Sequence, residues 1–247
     1  MDQVELELSP DELEAVRADR EAQQWLSEQR VLETAQPSGP PSTSKISDTA
    51  FNLIVEFEVS NQQIYSAKYR KPTWPQGASG VTIGIGYDVG YTTVAELHAD
   101  FDGAIPVPMV KALEAAVRVT GDPAAALARQ LGGDVDVPWE AAITVHRTKV
   151  MPRWIGLTER SLPNTAALNA DSLGALVSLI YNRGASFNNS GDRYSEMRAI
   201  KAHMAASNFT AIPGDIRSMK RLWPTVPGLQ KRREREARLF ESGLAIT

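Results

Sequence analysis

The order of hydrophobic patterns predicts an α+β protein with a small β-hairpin lobe, a larger helical lobe and an N-terminal helical extension. Three observations carry that expectation. After one apolar helix the chain has a single strand-rich stretch, from about Ile64 to Tyr91, and beyond it the apolar spacing is almost wholly helical. Strands gathered in one region and helices in another imply an α+β layout rather than alternating βα units. At 247 residues, with 43% hydrophobic and 23% charged side chains, the chain suffices for one good core.

Taken in order, residues 1–35 read as an acidic helix. Ser9-Pro10-Asp11-Glu12 supplies a cap, a first-turn proline and a capping-box glutamate. The helix is expected from about Pro10 to Glu33; its apolar residues are too sparse to bury a face on a core of its own, so it docks on the body of the protein or on a partner. Residues 36–45, QPSGPPSTSK, have linker composition. The main domain is then 46–247. Its first helix, capped by Ser47 or Asp48, carries Phe51, Leu53, Ile54, Val55 and Phe57 and ends close to Glu58. After the strand-rich stretch, helices are expected at Thr93–Asp100, Pro108–Val119, Pro123–Leu131, Pro138–Trp154, Asp171–Asn182, Glu196–Ala206, Ile212–Leu222 and Leu229–Glu241.

Composition removes several kinds of chemistry. The absence of cysteine excludes disulfides, thiolate nucleophiles and Cys-based zinc sites. His98, His146 and His203 are widely spaced, so no metal and no cofactor are expected. No apolar run approaches the roughly 18 to 20 residues of a membrane span, and the N-terminus does not read as an export signal. Residues 1–45 hold ten acids and four bases, a balance of −6, which against the total of −4 leaves +2 for the rest. The basic residues near Lys231 read as a solvated helix face, and without aromatic-interleaved basic strands no nucleic-acid partner is expected.

The informative stretch is GASGVTIGIGYDVG, residues 77–90. Val81, Ile83, Ile85 and Tyr87 share one parity; Thr82, Gly84, Gly86 and Asp88 share the other, so one face packs and the other is expected to stay bare. On a straight strand Thr82 and Asp88 would lie roughly 20 Å apart. If the chain folds back around Gly84 to Gly86, they become cross-strand neighbours with β-carbons about 5 Å apart. With Glu58 they would then supply two carboxylates and a hydroxyl. Glycoside hydrolysis needs one carboxylic acid to protonate the leaving oxygen and one carboxylate to activate water or attack the sugar.

Phe57-Glu58, Tyr65 seven residues after the glutamate, and VTIGIGYD together resemble the phage-type lysozymes, whose catalytic glutamate closes a helix before a small sheet with a TIGIG-like strand. In most of that family the aspartate lies between glutamate and threonine. Here KYRKPTWPQGASGV holds no acid, and Asp88, six residues after Thr82, follows the order found in pesticin, a bacteriocin of the same fold. ALVSLIYNRG, Ala175 to Gly184, is similar to the family's buried helix, and MKRLWPTVPGLQKRREREARLF to its C-terminal helical pair. The resemblance covers residues 46–247 and implies a lysozyme-like fold. It implies a muramidase that cleaves the bond between N-acetylmuramic acid and N-acetylglucosamine in peptidoglycan, with Glu58 as general acid and Asp88, opposite Thr82, activating water with inversion. A retaining route, with Asp88 as nucleophile, needs carboxyl groups about 5 Å apart. Asn182, Arg183 and Tyr87 are the candidates for gripping substrate. Glu56 is the rival acid, although the spacing to Tyr65 favours Glu58. The alternative is a non-catalytic wall-binding or structural particle component. Residues 1–45 are expected to engage a particle protein, such as that of a phage tail or injection machine. With no export signal, an enzyme made in the cytoplasm would reach the wall by lysis, a holin or carriage on a particle.

Overall fold

In a computed structural model, the structure describes residue 37 and residues 39–245. The expected acidic helix of residues 1–35 lies outside the described residues. The described chain forms two compact units, one of residues 39–57 with 153–245, the other of residues 58–152. The fold is mainly helical with one small antiparallel sheet, which agrees with the α+β expectation.

The helical unit is built on α1 (Asp48–Val59), whose residues to Phe57 belong to it. The Ser47 hydroxyl accepts the Ala50 N–H at 3.0 Å, the expected cap. Its later helices are α7 (Met151–Ser161), α8 (Ala170–Arg183), α9 (Ser195–Ala205), α10 (Ile212–Ser218) and α11 (Pro227–Leu244). Helix α8 is buried without interruption from Ser172 to Ile180, the pattern of a helix enclosed by its neighbours. Each of Leu176, Leu179 and Ile180, 0% exposed, contributes on the order of 1.5–3 kcal/mol of burial. Helices α1 and α11 press against it at small residues: a β-carbon on Gly174 would meet that of Ala50 at 2.2 Å, and one on Gly243 would meet the Ser172 hydroxyl at 2.0 Å. Residues 39–45 form no helix or strand, and they pack along α7. The Arg160 guanidinium donates to the Pro40 carbonyl at 2.8 Å, and that carbonyl leaves no room for a side chain at Gly156.

The hairpin unit corrects the sequence reading at its start. Residues 62–68 form helix α2 (Gln62–Lys68), not strand. Asn61 caps it by accepting the Ile64 N–H, and Tyr65, fully buried, donates to the Val137 carbonyl at 2.8 Å and meets the edge of Trp139. A capped helix of about two turns with one deep anchor outcompetes the β propensity of Ile64 and Tyr65. The sheet is β1 (Thr82–Ile83) and β2 (Tyr87–Asp88), joined by Gly84-Ile85-Gly86. Both glycines have positive φ, 57° and 66°, which L side chains adopt only at a cost. Thr82 pairs with Asp88 and Ile83 with Tyr87.

Helices α3 (Val94–Phe101), α4 (Val107–Leu113), α5 (Asp122–Leu131) and α6 (Trp139–Val145) complete the unit. α4 stops short of the expected Val119 because the chain turns through a 3₁₀ segment, Glu114–Ala116, and then extends so that Thr120 bridges Gly80. α6 continues into α7 through a π-helical segment, His146–Val150.

Candidate active site

Glu58 occupies the last turn of α1 and is half-buried; Glu56, two residues earlier, is committed elsewhere. Arg235 of α11 grips Glu56 with two bonds, 2.6 and 2.8 Å, within the helical unit. A bidentate guanidinium–carboxylate pair is geometrically specific and charge-assisted. Glu56 thus belongs to the helical unit, whereas Glu58 opens the unit that also holds Thr82 and Asp88.

The hydrogen-bond pattern around Thr82 fixes how close its partners come. Thr73 and Thr82 exchange both backbone bonds, 2.9 and 2.8 Å, so the N–H and C=O of Thr82 point toward Thr73. On its other side Thr82 faces Asp88 across a pair without direct backbone bonds, flanked by Val89 N–H to the Val81 carbonyl at 2.8 Å. In such pairs the α-carbons come to about 4.5 Å and side chains sit closest. The turn at the two glycines thus brings Thr82 and Asp88 together on one face.

That face is not bare, and here the expectation is corrected. Thr82 is 9% exposed and Asp88 3%. The Asp88 carboxylate folds back over the backbone: one oxygen accepts the Gly80 N–H at 3.0 Å, the other the Gly90 N–H at 2.9 Å. Gly80 and Gly90 make this possible by close approach, since a β-carbon on Gly80 would lie 2.3 Å from Asp88 Oδ1 and one on Gly90 2.5 Å from the Val119 carbonyl oxygen. A carboxylate offers about four lone-pair sites, and the two backbone amides use one on each oxygen. Thr82 Oγ1 stands 3.5 Å from the Gly80 carbonyl, the outer limit of a bond.

The expected substrate-gripping residues divide. Tyr87 is 2% exposed, donates to Asp100 at 2.9 Å and packs edge-on against Phe101; it belongs to the core, as its parity with Val81, Ile83 and Ile85 requires. Arg183 is likewise enclosed, at 0% exposed, with its guanidinium 5.3 Å from the Trp223 ring centre and donating to the Arg193 carbonyl at 2.9 Å. Burial, with the like charge of Arg233 nearby, pushes it down to about 9. Both side chains are enclosed by protein in this conformation. Asn182 stays half-buried, with its side-chain oxygen accepting from Arg233 at 2.9 Å, and it lies with Arg183 in the helical unit.

Two histidines took positions the sequence did not signal. His146, in the π-helical segment, is 1% exposed against the Ile85 backbone at the tip of the hairpin, and burial pushes it down to about 3. His98 sits between Glu114 at 2.9 Å and Asp102 at 3.0 Å, which hold it above its ordinary range. Among the described residues no cluster of His, Asp and Glu has the makings of a metal site.

A family model described as a domain of unknown function (DUF8812) matches residues 54–137, a stretch that includes Glu58, Thr82 and Asp88 and ends before Asn182 and Arg183. No curated protein matches the chain.

Proposed function

We propose that the protein is a peptidoglycan muramidase, a glycoside hydrolase of lysozyme type in which Glu58 is the general acid. The observation that carries this reading is the register of the hairpin: the turn at Gly84 and Gly86 sets Thr82 opposite Asp88, in the unit that Glu58 opens. Glu58 protonates the glycosidic oxygen as the C1–O4 bond breaks. A water attacks C1 and passes its proton to the Asp88 carboxylate, with Thr82 orienting the water. Attack on the face opposite the leaving group inverts C1. Residues 1–45 would tether the enzyme to a particle that carries it to the bacterial wall.

One observation favours a second reading, a non-catalytic wall-binding module. Asp88 is 3% exposed and bound to two backbone amides, which is how a structural carboxylate is held. Purified peptidoglycan separates the two. Under the muramidase reading the wild type releases new reducing ends, Glu58→Gln releases none while keeping its melting temperature, and Glu56→Gln retains turnover. A wild type that sediments with insoluble peptidoglycan but releases no reducing ends establishes the binding module instead.

A further inference from the structure

The pairing around Thr82 places a third polar side chain on the same face. Thr73 bridges Thr82 from the side opposite Asp88, and residues directly opposed in antiparallel pairs project to the same face of a sheet. Thr73, Thr82 and Asp88 therefore form a row that runs from the bridged segment at Thr73 across β1 to β2. Along that row exposure rises: Asp88 is 3% exposed, Thr82 9%, and Thr73 is half-buried. The end of the row open to solvent is a threonine, nine residues before Thr82, in the KYRKPTWPQGASGV interval that contains no acid.

We propose that Thr73 is a positioning residue for the attacking water, a role that rests on the muramidase reading above. The Thr73 hydroxyl lies 3.3 Å from the Thr82 carbonyl oxygen, a long bond that holds the χ1 rotamer without using the oxygen's lone pairs. A hydroxyl fixed in this way accepts from a water held beside Thr82. Asp88, bound to two amides and nearly covered, receives the water's proton without holding the water in place by itself. During the reaction the water oxygen bonds to C1, the C1–O4 bond breaks, the Glu58 proton goes to O4 and the water proton goes to Asp88. Thr73 neither gains nor loses a proton.

Thr73→Val removes the hydroxyl and keeps the branching that suits a strand. Steady-state hydrolysis of soluble peptidoglycan fragments by the full chain then shows kcat reduced roughly 10- to 100-fold with KM within about threefold, the signature of lost orientation of a reacting group. Thr73→Ser restores kcat to within about threefold of wild type, and the melting temperatures of the variants match. Should Thr73→Val fail to fold, Thr73→Ala against Thr73→Ser makes the same comparison with a smaller side chain. A Thr73→Val or Thr73→Ala enzyme with wild-type kcat, alongside an inactive Glu58→Gln control, overturns the role of Thr73 and leaves the muramidase reading standing. Turnover that survives Glu58→Gln, or a wild type without turnover, overturns both.

Discussion

Replacing Asp88 by asparagine tests the centre of the hairpin unit, because the amide keeps the shape of the carboxylate but has a single acceptor atom. In the wild type each carboxylate oxygen takes one backbone N–H, from Gly80 at 3.0 Å and from Gly90 at 2.9 Å. Hydrogen bonds to a charged group are worth about 1.5–3 kcal/mol each. Asparagine keeps one of them in weaker, neutral form and turns an NH2 group toward the other amide, leaving a buried donor without an acceptor at 3% exposure. The loss sums to about 2–4 kcal/mol, a large part of a typical folding free energy. For a domain of this size that corresponds to a fall in melting temperature of roughly 5–15 °C. Urea denaturation of wild type and Asp88→Asn at pH 7 measures it. A midpoint shift equivalent to less than about 0.5 kcal/mol refutes the reasoning that the carboxylate clamps the two glycines. Activity is assayed in parallel, at a temperature well below both transitions. There the fully folded variant still loses on the order of 10²-fold or more if Asp88 is also the base.

Two further perturbations test the surrounding packing. Gly80→Ala inserts a β-carbon 2.3 Å from Asp88 Oδ1 and 2.5 Å from the Gly90 α-carbon, so backbone must move and about 2 kcal/mol or more is lost, whereas Gly133→Ala, with nothing within 4 Å, leaves the denaturation midpoint within about 0.5 kcal/mol. His146 is buried at 1% exposed and held down to about 3, against an ordinary value near 6.5, so its neutral form is the one the fold prefers. Its contribution is present above about pH 6.5 and is lost as pH falls toward the folded value; at pH 5 the loss is about 2 kcal/mol, and His146→Gln flattens that part of a stability–pH curve measured by urea denaturation. A slope unchanged in His146→Gln refutes this assignment.

Local signals made the larger features legible. The two glycines of TIGIG mark a bend because only a positive φ closes so short a turn, and the parity of Val81, Ile83, Ile85 and Tyr87 already assigned Tyr87 to the packed face. Its expected contact with substrate conflicts with that pattern, and the core contact with Phe101 follows the pattern. What the sequence concealed was set by distant partners. Arg183 ends a helix, where a charged residue ordinarily meets water, but Trp223 covers it from forty positions downstream. Helix α2 is hidden in the sequence because Ile64 and Tyr65 have β propensity, and the competing Asn61 cap is a single residue. Gly80 carries no local signal of its own. Its meaning comes from the Asp88 carboxylate reaching back over it, and from Gly90 facing it.

The Asp88 clamp bears on how any loss of activity is to be read. A carboxylate that ties Gly80 to Gly90 fixes the strand on which Thr82 sits, and Thr82 in turn fixes Thr73 through two backbone bonds. Substituting Asp88 therefore disturbs the strand that carries the row, and under the proposed muramidase reading it also removes the base, so inactivity in such a variant follows from either cause. Thr73 and Glu58 differ in this respect. Thr73 is held through its backbone, which a valine keeps, and Glu58 lies at the end of a helix outside the clamp. Under the muramidase reading, variants at these two positions change the chemistry without cutting the two amide bonds of the clamp. Their kcat values, set beside the stability of Asp88→Asn, separate what the row does in a reaction from what it does for the fold.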